Sequence, residues 1–309
     1  MAKRVYKDRM LVWSEIDRKM IRKMFIYGMK NNVSGLANVL ATQTTGLLLA
    51  ASAGPATLAV YARPVALFSH VERLISQYAF LLTPMAGSIQ GLARGGELKE
   101  FFLSSMRSSY AMTIPVVLLL GGYGDVIISI WMGKSYVVPL LAPVLAIGLV
   151  LPLSHAAALR ILAGVNAHGR IALISLGTTG LTLLLCLIPA YGFGWSELAA
   201  AGVVGASLSA GPGLTVIIGA CRRFSISMKE YLTEAAAAPL LCNLPLAVIV
   251  ACSRIVTPHM TFLHAVAWSS LGVLVLAAIY WRVLFSVEMQ SKWRGRLGKP
   301  YRTVKDGLH

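Results

Sequence analysis

Apolar residues run in blocks of about twenty along most of this chain, separated by short segments marked by Gly, Pro, Asn or charge. Blocks of that length match the roughly 30 Å of hydrocarbon that a membrane-spanning helix has to cross. A helix is also the form in which one segment satisfies all its backbone polar groups without water. The pattern predicts spans near residues 31–52, 57–82, 102–122, 137–158, 170–190, 198–220, 235–253 and 262–284. The expected fold class is an all-α membrane protein with about eight transmembrane helices.

Composition supports this reading. Of 309 residues, 57% are hydrophobic and only 13% charged, which leaves no room for a large soluble domain. The net charge of +16 would suggest nucleic acid in a soluble chain. Placed on the spans, however, 24 of the 28 basic residues fall on one side, in residues 1–30, 94–107, 160–170, 222–229 and 282–305, and only Lys134 and Arg254 on the other. Such asymmetry over short loops orients a membrane protein with both termini in the cytoplasm and accounts for the charge without nucleic acid. In residues 1–30, Met20, Ile21, Met24, Phe25 and Tyr27 interleave with Arg18, Lys19, Arg22 and Lys23. This lead-in reads as a juxtamembrane linker in preference to a helix lying on anionic lipid, and no cleavable signal is expected in it. Cys186, Cys221, Cys242 and Cys252 show no metal-ligand spacing and no disulfide framework. Neither metal nor cofactor is expected.

Polar residues inside the spans carry the chemistry, because each is costly in hydrocarbon. In the first span Asn31, Ser34, Asn38, Thr42 and Thr45 fall within roughly 60° of one another at 100° per residue. Such a stripe either hydrogen-bonds to neighbouring helices or lines a watery cavity, and the two readings are compatible. In the second span Arg63, His70, Arg73 and Gln77 share about 80° of the helix surface, with Glu72 on the opposite side. A cationic stripe with no carboxylate on its own face needs either acceptors from other helices or water, and its arginines suit a phosphate or diphosphate headgroup. His70 would tune its charge with pH, and Arg73 has snorkelling to the interface as a bland alternative. His155, Arg160, Asn166, His168 and Arg170 cluster around the fourth connection, where interface placement explains them, and His264 reads as structural. Pro64, Pro115, Pro143, Pro212 and Pro245 lie inside spans and predict bends. Gly202, Ala206 and Ala210 predict close helix approach. No arrangement in the chain carries catalysis, so no enzyme is expected.

Several landmarks occur in order along residues 20–225: Ile26-Tyr27-Gly28 after a basic lead-in, Ala59-Val60-Tyr61-Ala62, Leu82-Thr83-Pro84, and a Gly-rich turn. Next come Trp131, Gly133 and Tyr136 in a Trp-x-Gly-x-x-Tyr segment, and Tyr191-Gly192 followed by Ala199-Ala200-Ala201. The set resembles the polysaccharide (O-antigen or teichoic-acid type) flippases of the multidrug/oligosaccharidyl-lipid/polysaccharide exporter superfamily. The resemblance implies two six-helix lobes around a central cavity, usually with two further helices. On this chain it implies a lead-in (1–30), one six-helix lobe matching the family's second (31–225), an additional helix pair (226–285) and a basic cytoplasmic tail (286–309). The first lobe would then be missing from a truncated or split product, or be supplied by a second copy or a separately encoded lobe.

The expected function is movement of a lipid-diphosphate-linked oligosaccharide across the cytoplasmic (inner) membrane for surface polysaccharide synthesis. Arg63, His70, Arg73 and Gln77 would contact the headgroup, and anionic lipids would be further partners. One alternative is cation-coupled multidrug efflux, which needs intramembrane carboxylates. Another is a non-transporting scaffold or half-transporter partner in a glycan-assembly complex.

Overall fold

The structure, a computed structural model, describes residues 17–91, 95–138, 140–192 and 197–283. The tail 286–309 and most of the region before Arg18 lie outside the described residues. Among the described residues all regular structure is helical. In order there are α1 (Arg18–Gly91), α2 (Gly95–Trp131), a single 3-10 turn (Lys134–Tyr136), α3 (Leu141–Gly164), α4 (His168–Gly192) and α5 (Glu197–Arg223). A short α6 (Met228–Tyr231) passes through a π-helical turn (Leu232–Ala237) into α7 (Ala238–Val256), and α8 (Phe262–Val283) follows.

Among the described residues, five stretches are long and apolar enough to cross a membrane: Gly96–Trp131, Leu141–Gly164, His168–Leu185, Met228–Val256 and Phe262–Val283. They coincide with the third, fourth, fifth, seventh and eighth predicted spans. The stretches 31–52, 57–82 and 198–220 are helical as well.

The first two predicted spans form one hairpin. Helix α1 breaks at Gly54, whose φ of 82° and ψ of 173° suit glycine and strain other residues. Pro55 follows and can donate no backbone hydrogen bond. The arms 18–53 and 55–91 return to the same place: the Tyr27 hydroxyl donates to the Ala163 carbonyl at 3.4 Å, and the Thr83 hydroxyl to the Arg160 carbonyl at 3.2 Å. The basic lead-in from Arg18 onward is continuous with the first arm, so it projects from the bundle as helix and does not lie across its end.

Helix α3 is the hub, packed between both arms of α1, α2 and α5. One core joins Phe102 and Met106 of α2 to Ala157, Ala158, Ile161 and Leu162 of α3 and to Val216 and Ile217 of α5. Small residues set the closest crossings. A Cβ at Gly164 would collide with the Thr83 carbonyl, and one at Gly202 would sit 3.0 Å from Leu141, so the expected close approach of α5 is found at Gly202. The Ala206 and Ala210 side chains lie outside the described residues. Helices α3 and α5 end alike, with Asn166 and Ser225 left-handed at φ 54°. Five-back hydrogen bonds close both ends, from Ala167 N–H to the Leu162 carbonyl and from Ile226 N–H to the Cys221 carbonyl, each 2.8 Å. Pro143 corrects an expectation. It is the third residue of α3, where no intrahelical bond would be lost, so it starts that helix and does not bend it.

Helices α7 and α8 pack on each other and on α2. A Cβ at Gly122 would collide with Val250, which brings α7 close, and polar pairs complete the seam. Asn243 Nδ2 donates to the Tyr280 hydroxyl at 2.6 Å, that hydroxyl donates to the Ala111 carbonyl at 2.9 Å, and Tyr123 bonds Ser253 at 2.7 Å. Arg254 forms an ion pair with Asp125.

Candidate functional site

The second arm of α1 has two faces of opposite character. Tyr61, Phe68, Ala79, Leu82 and Ala86 are buried against the bundle, at the spacing of a helical stripe. Arg63, His70, Arg73 and Gln77 are exposed on the other side, and Glu72 is half-buried. All four predicted headgroup residues therefore share an open face. They do not form a cluster, because fourteen helical positions separate Arg63 from Gln77 and the rise of 1.5 Å per residue spreads them over roughly 21 Å. The arrangement is a ladder.

Among the described residues neither Arg63 nor Arg73 forms an ion pair with a carboxylate. Arg63 instead places its guanidinium 5.8 Å from the centre of the Tyr136 ring. Tyr136 ends the 3-10 turn entered through Gly133, whose φ of 100° turns the chain back toward α1. The Trp-x-Gly-x-x-Tyr segment thus supplies the aromatic wall for one end of the ladder, a link that spacing along the chain did not reveal.

In the polar stripe of the first arm, Thr45 is buried at 3% exposure, on the side where Leu49 joins the core. At that level the stripe faces protein. The Asn31, Ser34, Asn38 and Thr42 side chains lie outside the described residues.

The basic residues of the connections gather at the end of the bundle opposite Gly54. Lys99 forms an ion pair with Glu230 at 2.6 Å, and Arg107 Nε donates to the Glu234 carbonyl in the π-helical turn at 2.7 Å. Tyr27 packs edge-on against the buried ring of His168, their centres 5.1 Å apart. Arg160 lies over Phe80, a contact between α3 and the ladder helix that periodicity alone does not show. His264 is placed as expected of a structural histidine, with its Nδ1 3.0 Å from the Thr261 hydroxyl at the start of α8.

Comparison with curated proteins and with solved structures gives no match. A protein-family model does match, and its span takes in the Gly54 hinge, the whole ladder, α2 and Tyr136. The family resemblance carried by the motifs is thereby borne out over residues 6–139, which match the family described as polysaccharide biosynthesis protein.

Proposed function

We propose that the protein moves a lipid-diphosphate-linked oligosaccharide across the cytoplasmic membrane for cell-surface polysaccharide synthesis, with no bond made or broken. One observation carries this reading: a ladder of cations on an open helix face, whose arginines form no carboxylate ion pair among the described residues, within the stretch that matches a polysaccharide biosynthesis family. Unpaired arginines are costly against acyl chains, so such a face favours a wet hollow and an anionic guest. Successive rungs would offset the desolvation of a diphosphate along its path. On this reading the basic end of the bundle is cytoplasmic, both termini lie there, and eight helices span the membrane. The ladder face is left open by the described residues, which suits completion of the cavity by a second copy or a separate first lobe.

Cation-coupled efflux fits less well. It needs carboxylates free to bind a cation, and Asp125 is already paired with Arg254, while Glu72 is half-buried off the ladder face. A scaffold role would leave the ladder without a purpose. The test is the double variant Arg63→Gln, Arg73→Gln in cells where membrane insertion is verified. Loss of two charge-assisted contacts should lower surface glycan export by roughly tenfold or more. Export at the parental level removes the ladder from the mechanism.

A further inference from the structure

The open face of the second arm does not end at Gln77. Phe80 lies seven residues beyond Arg73, about 20° away around the helix and roughly 10 Å further along it. Half of Phe80 is exposed (50%), and the Arg160 guanidinium sits over its ring with Cζ 3.6 Å from the centre. An arginine from α3 is thus set into the α1 face as its next rung toward the basic end. The backbone behind it is fixed at two points, where the Thr83 and Tyr27 hydroxyls donate to the Arg160 and Ala163 carbonyls.

Arg160 is half-buried, yet its guanidinium donates no hydrogen bond to a described residue and forms no ion pair with one. Stacking holds the plane of the group and leaves its N–H edge free. That edge is the part that grips a phosphate through paired donors. The opposite end of the ladder is built on the same principle, with Arg63 over Tyr136. Arginine on an aromatic ring therefore bounds the ladder at both ends.

Building on the transport reading above, we propose that Arg160, seated on Phe80, binds the phosphate of a lipid headgroup at the basic mouth of the ladder, ahead of Gln77 and Arg73. The same chemistry is offered by two sources, the diphosphate of a polyprenyl-linked cargo and the phosphodiester of an abundant anionic phospholipid.

The full chain in phosphatidylcholine vesicles is titrated with a fluorescent polyprenyl diphosphate and, separately, with phosphatidylglycerol. Arg160→Ala should weaken binding by about tenfold, the scale of a lost bidentate contact, with an unchanged melting temperature. Phe80→Ala removes the seat and keeps the charge, so it should weaken binding by about threefold, and Phe80→Tyr should restore it. Loss confined to the diphosphate assigns the site to cargo, and equal loss of both probes assigns it to bulk phospholipid; either supports the site. Unchanged binding of both probes overturns it and leaves Arg160 as a packing contact between α3 and α1. Arg160→Gln, closer in bulk, is read in the same way if the alanine variant does not fold. The Arg63, Arg73 export experiment leaves Arg160 intact. Parental export there, with binding lost in Arg160→Ala, removes the Arg63–Gln77 ladder from the transport mechanism and keeps the headgroup site. The converse pair of results does the reverse.

Discussion

Gly54 holds φ at 82° in the middle of a helix otherwise unbroken from Arg18 to Gly91, and the hairpin that brings both arms to α3 turns on it. Gly54→Ala should cost about 1–3 kcal/mol, since a Cβ is strained in that region of backbone space. Open space surrounds the position, so this cost is one of conformation and not of collision. A lowered melting temperature in detergent checks it, and an unchanged one would mean that the turn relaxes freely. Gly164 tests the opposite cause: a Cβ there would strike the Thr83 carbonyl, so Gly164→Ala should push α3 away from the second arm. The Thr83 hydroxyl would then lose its bond to the Arg160 carbonyl, and a lowered melting temperature in detergent checks it. The sequence marked Gly54-Pro55 as a break between apolar runs, because breakers act locally. It gave no sign that Gly164 faces a carbonyl, because that depends on the approach of a helix remote in the chain.

At the scale of elements, the seam between α2 and the α7–α8 pair combines a close glycine approach with buried polar bonds. The Tyr280 hydroxyl lies between Asn243 and the Ala111 carbonyl. Tyr280→Phe removes it at little change of shape and should cost roughly 1 kcal/mol, more if the Asn243 amide stays dry and unsatisfied. Asp125→Ala leaves Arg254 without its carboxylate and should destabilise more than the pair replaced together, the signature of coupling in a double-mutant cycle. Additive effects would show that the pair contributes nothing beyond its separate charges. The helices themselves were legible from run length and turn residues. Their partners were not, and Asn243, Tyr280 and Ser253 drew no attention in the sequence because one polar residue on an apolar helix carries no address.

For the whole molecule the question is whether the ladder faces water. In a background without the native cysteines, single cysteines at 63, 70 and 77 should react with a charged, membrane-impermeant thiol reagent, and cysteines at 68 and 79 should not, since Phe68 and Ala79 are buried at 3% exposure. Reaction of the ladder positions only with a lipid-soluble reagent would place the face against acyl chains and remove the anionic guest. By itself the sequence determined the helical class, the positions of the helices and the angular sorting that puts Arg63, His70, Arg73 and Gln77 on one face. Length, turn chemistry and periodicity are properties of a single segment, and hydrocarbon leaves that segment one way to satisfy its backbone. Only the tertiary structure decided that Arg160 completes this face from another helix, that Tyr136 closes its far end and that Asp125 is bound to Arg254. Those contacts depend on the depth and angle at which distant helices cross, quantities that small residues and side-chain shape set jointly and that no single segment encodes.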